Sequence, residues 1–149
     1  MITNVAAVTV FNGRLDKGTR RKICIPTVIR GVSYVEGKGS TVANNGVWSD
    51  DVQYKIRVPL SAEIQDNREY MRDLGYANLD NEETEKYWTI QKGDLVIRGE
   101  YTGGNPLLYE DELAAYAKEQ GLDLIRITEY ADNTFGGSAY TRHWRIGGK

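Results

Sequence analysis

Residues 51–60 read DVQYKIRVPL. Val52, Tyr54, Ile56 and Val58 occupy every second position, with Gln53, Lys55 and Arg57 between them. Apolar residues at a period of two mark a strand with one buried face. Pro59, which has no N–H to give a ladder, ends it. A strand like this needs partners, and the sequence on either side supplies them.

Upstream, Gly37–Ser49 (GKGSTVANNGVWS) reads as a turn-rich loop or a long hairpin arm. Before it, Ile23, Ile25, Thr27 and Ile29 alternate as a second strand. Pro26 inside that run predicts an edge or a bulge, and Gly31 a second bulge before VSYVE. Asn4–Phe11 reads as a strand, and NGRLDKG as the turn that leads through Arg20, Arg21 and Lys22 into the next. Downstream, Ser61–Lys86 has no steady period. It is polar and acidic, with room for a helical turn near Asp66–Leu74, and a link this long is often functional.

Tyr87–Tyr101 (YWTIQKGDLVIRGEY) reads strand, turn, strand, with Lys92, Gly93 and Asp94 at the bend. Glycine-bearing bends also cradle phosphates. This one lacks the second glycine, the Lys-Ser/Thr pair and the following helix of a P-loop, so it is read as a turn. Asn105 and Pro106 then suit a helix start, as N-cap and first helical residue. The helix predicted over about 106–120 carries Tyr109, Leu113, Tyr116 and Ala117 on one face. Glu110, Asp111 and Glu112 lie where the dipole favours acids, and Gly121 at the C-cap. LDLIRITEY and AYTRHWRIG read as the last strands, the second with Tyr140, Trp144 and Ile146 inward.

The expected fold is therefore mainly β: a small antiparallel barrel or sandwich, one inserted helix and long loops. A chain of 149 residues suits a single domain spanning 1–149, with an arm at 37–49 and a polar insertion at 61–86. Hydrophobic residues make up 40% and the net charge is -2. That charge argues against a free-standing nucleic-acid binder, though not against a protein that surrounds DNA without gripping it. Neither a signal peptide nor a membrane span is expected.

Cys24, the single cysteine, lies in a strand-like run and is expected to be buried. His143 has no recognisable partner set for general-base or metal chemistry. Asp50-Asp51 and Glu82-Glu83-Thr84-Glu85 lack the alternating oxygen ligands of a calcium loop and read as solvated faces. No catalytic residue, metal or cofactor is expected. Arg20, Arg21, Lys22, Arg142 and Arg145 are candidate charged contacts, for phosphate backbones or, given the net charge, for acidic patches on a neighbouring subunit. Ten tyrosines and three tryptophans, against two phenylalanines, suit faces buried on assembly.

Three pieces occur in order: VTVFNGRLDKGTR with TVIRGVSY, YWTIQKGDLVIRGE, and ITEYADNTFGGSAYTRHWRIGGK. Together they resemble the small head–tail connector, or neck, proteins of tailed bacteriophages and prophages of Gram-positive bacteria. The resemblance covers about half the chain, and Ser61–Lys86 carries none of it. It implies a virion structural protein, assembled in the bacterial host cytoplasm: a head-completion (stopper-type) or adaptor ring joining portal to tail. The implied partners are itself, a portal or adaptor protein, a tail-terminator or tail tube protein, and packaged double-stranded DNA held without sequence specificity. In that setting Tyr34, Trp48, Tyr70, Tyr76 and Tyr87 are candidate subunit-interface anchors. A tail-terminator or tail-completion ring is the nearest alternative. A β-barrel module for carbohydrate or peptide, or a hydrolase with two unmarked carboxylates, would be a different class.

Overall fold

One strand of 21 residues, β2 (Lys22–Val42), organises the fold. The structure is a computed structural model that describes residues 6–16, 18–42, 48–80, 82–134 and 142–149. β2 pairs antiparallel with β1 (Ala6–Leu15) along 22–32, then leaves it and pairs with β3 (Trp48–Pro59) along 33–42. The change of partner falls at Gly31. The β1 register steps from Ala7↔Arg30 to Ala6↔Val32, which leaves Gly31 unpaired at φ 82°. An extra residue in a left-handed conformation is a bulge that only glycine adopts without strain, as its place in the sequence predicts.

β1 also pairs with β7 (Leu95–Arg98), β7 with β9 (Leu124–Asn133), β9 with β10 (His143–Gly148), and β10 with β3. The pairings thus run β1-β7-β9-β10-β3-β2 and return to β1. The fold is mainly antiparallel β and sandwich-like, as expected. Val8, Val10, Ile29, Ile56, Val58, Val96, Ile127 and Ile146 fill the space between the layers. A second cluster of Phe11, Cys24, Leu95, Ile97, Leu108 and Leu113 packs on the other side of β1 and β7. There α2 (Glu110–Gln120) covers the sheet with Leu113 and Ala117. This layer is buried on both faces, which explains the unbroken burial of 23–29.

The helix starts later than the sequence suggests. Leu108 and Tyr109 form a short strand, β8, opposite Ile23 and Cys24, so the chain stays extended past Asn105 and Pro106. The first turn is closed by Glu112, whose carboxylate accepts the Tyr109 N–H at 3.1 Å. Gly121 ends the helix at φ 68°, as predicted.

Three other expectations change. β6 (Tyr87–Trp88) does not pair with β7 across the Gly93 turn; it lies parallel to β5 (Glu69–Tyr70). Asn12 and Gly13 are not in a turn but continue β1, because Asn12 has buried partners described below. The segment 61–86 is not a free polar loop. It forms β4 (Glu63–Ile64) on β2, a 3-10 turn at Gln65–Asn67, β5, the short helix α1 (Asp73–Ala77) and a 3-10 turn at Glu83–Lys86. Tyr76 of α1 is fully buried.

Candidate functional site

Beyond the body, the strands of the predicted arm at 37–49 run as a two-stranded ribbon. Six register pairs, from Gly37↔Gln53 to Val42↔Trp48, lie outside the last β3 residue paired to β10, Tyr54. At ~3.3 Å per residue the ribbon reaches about 20 Å. Among the described residues neither ribbon edge has a neighbouring strand. A lone two-stranded ribbon is marginal in water, and its bare edges invite pairing.

A second open edge has been closed. β4 and β8 pair with the same side of β2, at Ile29–Arg30 and Ile23–Cys24, and leave a gap between them. Pro26 sits in that gap, where its missing N–H costs nothing. Gln65 Oε1 accepts the Val28 N–H at 3.0 Å, and Arg68 Nη1 donates to the Pro26 carbonyl at 3.0 Å and to Thr27 Oγ1 at 2.8 Å. Two side chains thus stand in for a strand. They come from a turn in which Asp66 and Asn67 both hold positive φ, at 56° and 53°. Over this edge lies a groove of about 900 Å³, floored by Ile23, Ile25, Pro26, Val28 and Leu107. Its charges balance: Arg30, Arg68 and Lys86 against Asp66, Glu85 and Glu100, with Arg30 paired to Glu100.

The candidate anchors fare differently. Tyr34 is half-buried, its ring 5.9 Å from Tyr54 with the Arg98 guanidinium 5.0 Å away, and burial pushes its hydroxyl to about 12. Tyr70 is half-buried against Trp88 and Trp144, at 5.2 and 5.0 Å, and is raised to about 12 for the same reason. Tyr87 is half-buried beside them in β6. Tyr76 cannot be a surface anchor. It has no exposed area, and Arg14 fixes its segment by donating to the carbonyls of Tyr76 and Leu79. Trp48 lies opposite Val42 in the ribbon, and its side chain is outside the described residues, as is Tyr140.

The predicted basic residues do not form one patch. Arg20 is exposed in the β1–β2 turn at φ 57°. Arg21 lies over the Tyr109 ring at 3.7 Å and pairs with Asp111 at 3.6 Å, so α2 already uses it. Lys22 runs past Gly13 towards Asp94. Arg142 precedes β10, and Arg145 is exposed within β10, directly opposite Arg57 of β3.

Asp94 is the polar residue that sequence reading undervalued. Its place beside Gly93 predicts a turn residue, and Gln91 to Asp94 do turn, with Gly93 at φ 89°. Yet Asp94 is buried. Its carboxylate accepts from Asn12 Nδ2 at 3.2 Å, the Gly13 N–H at 3.1 Å and Gln91 Nε2 at 3.0 Å. Its carbonyl accepts the Ile127 N–H. Burial outweighs these donors and nearby Lys22, and raises the acid to about 6. Asn12 also exchanges bonds with the Thr89 backbone. Gly13 makes the approach possible, since a Cβ there would meet Asp94 Oδ1 at 3.0 Å. The network clamps β1, β9 and the 89–94 turn together. The proximity of NG and GD to strand-like residues was the only signal in the sequence.

Cys24 is buried as predicted, and desolvation pushes its thiol to about 11. No group of three or more metal-ligating side chains occurs among the described residues, and no helix there is long and apolar enough to cross a membrane.

Residues 2–149 match the model of a family of unknown function, DUF6751. No curated protein and no solved structure matches the chain.

Proposed function

The chain belongs to DUF6751, a family of unknown function, and from its geometry and its resemblance to neck proteins we propose that it is a ring-forming structural subunit of a phage head–tail junction. In this reading the sandwich-like body is the rigid unit, and contacts between copies order what extends from it. The ring sits between portal and tail as a head-completion or adaptor component and helps retain packaged DNA. A slightly acidic ring repels phosphates and lets DNA slide.

The observation that carries this reading is the ribbon at 37–42 and 48–53. It projects about 20 Å and is paired only with itself among the described residues. A monomer gains little from ordering it; a neighbour that packs against it gains an anchored contact.

The test is to shorten the ribbon. Gly39 and Asp51 are register partners, so an Asn-Gly turn in place of 40–50 joins them without disturbing the body. The shortened chain should keep its circular dichroism and thermal transition, and lose ring assembly in native mass spectrometry and DNA retention in particles. Electron microscopy of purified particles provides the second arm. A head–tail junction that lacks this polypeptide would refute the assignment.

A further inference from the structure

The two layers of the sandwich differ on their outer faces. α2 covers the β1–β7 layer, whereas β10 and β3 present theirs to solvent. Tyr54, Ile56 and Val58 are buried, so alternation turns Lys55 and Arg57 outward. Ile146 is buried, so Arg145 turns outward too. The register places Arg145 directly opposite Arg57, and Lys55 opposite the exposed Val35. Cross-strand neighbours lie ~5 Å apart at Cβ, and like charges so placed are destabilising.

Among the described residues neither arginine nor Lys55 has a carboxylate within ion-pairing distance. The carboxylate in the same rows is Glu129, which lies over Gly147, where a Cβ would meet its Cγ at 2.7 Å. His143 faces the same side one row along. The patch is thus cationic in a chain whose net charge is -2.

The complementary charge lies on the far side of β10. Glu82, Glu83 and Glu85 are exposed in the turn that leads to β6, with Lys86 closing it. That turn is held by Trp88, whose ring lies 5.2 Å from Trp144. Trp144 and Arg145 are successive strand residues and point to opposite faces. One molecule therefore cannot bring its acidic turn to its own arginines, but a second copy can.

We propose that the Lys55–Arg57–Arg145 face docks on the Glu82–Glu85 turn of a second copy, in a head-to-tail contact. Because donor and acceptor surfaces differ, the contact is heterologous, and it closes a ring or extends a filament. It rests on the ring-forming reading above and names the surfaces that would meet. Val35 supplies an apolar contact at the edge of the charged set.

The experiment compares the full-length chain with two double variants, Arg57→Glu/Arg145→Glu and Glu83→Lys/Glu85→Lys, by sedimentation velocity. All four positions are exposed or half-exposed, and circular dichroism checks the fold; Lys55→Glu is a milder third variant. The wild type should assemble at about 0.15 M salt and dissociate near 1 M, where the Debye length falls to ~3 Å. Each double variant should associate at least ~tenfold more weakly, and an equimolar mixture of the two should reassemble, because each reversed surface then meets its opposite. If both variants assemble like the wild type, or the mixture fails to recover, this contact is wrong while the ring reading stands. If the wild type stays monomeric alone, this contact is wrong; if it is also absent from particles, the ring reading itself fails. Loss of duplex DNA binding in the arginine variant, with assembly intact, would make the face a phosphate surface and overturn the proposal.

Discussion

Arg68 donates to the carbonyl of Pro26 at 3.0 Å across 42 residues of sequence, and so completes a strand edge that has no strand on it. With Gln65 it occupies the two backbone groups that an incoming strand would use. The guanidinium is almost wholly covered, with a side-chain exposure of 8%. We expect Arg68→Ala to destabilise the fold by about 2–3 kcal/mol, since it leaves a buried carbonyl bare and a void beside it. Urea unfolding measures the loss. Gln65→Ala in the same background should be less than additive, because the two side chains serve one edge. Edge exposure should also raise light scattering on heating.

Tyr76 separates packing from polarity. Its ring is fully buried, and its hydroxyl has no hydrogen-bond partner among the described residues. Tyr76→Phe should therefore change stability by less than about 0.5 kcal/mol, whereas Tyr76→Ala should cost about 3–5 kcal/mol. Chemical denaturation of both variants decides it. A near-neutral alanine variant would mean that 61–86 is not part of the body.

Asp94 should leave a signature in pH dependence. Its acid is raised from 3.8 to about 6 by burial, so between those values the folded state holds a proton that the unfolded state has lost. The stabilisation from this group is complete below pH ~4 and is lost as pH rises through ~6, by about 3 kcal/mol. Asp94→Asn removes the titrating proton. Urea midpoints at pH 4, 5, 6 and 7 should show a downward contribution in the wild type that is missing from the variant. Identical slopes would refute it.

Cys24 should be inert. A thiol near 11 has roughly a hundredth of the thiolate of an ordinary cysteine at pH 8, and the side chain is buried besides. Alkylation of the native protein should be at least ~100-fold slower than in denaturant. Fast native labelling would indicate that β2 and β8 separate readily.

The β elements were legible where one face alone decides the pattern. Tyr54, Ile56 and Val58 are buried as their spacing predicts, and Gly31 and Pro26 mark the bulge and the strandless edge. The helix start was misplaced because Leu108 is held extended by β2, a long-range pairing that outweighs the local preference of Asn105 and Pro106. The segment 61–86 lacked a period because it has no regular face: it follows the body through single buried residues such as Tyr76 and Thr84. Asp94 looked like a turn residue because its acceptor role depends on Asn12, 82 positions away. The facing arginines at 57 and 145 are likewise visible only once the β3–β10 register is known.

The continuity of β2 through both halves of the molecule has a mechanical consequence. The strand that forms one side of the ribbon is the same strand that lies against β1 in the interior. A pull on the ribbon therefore enters the body along the strand axis. It is resisted in shear by the whole β1–β2 ladder at once, rather than by rungs that unzip in turn. A junction built from such subunits would pass tension from one copy to the next without loosening the interior of either.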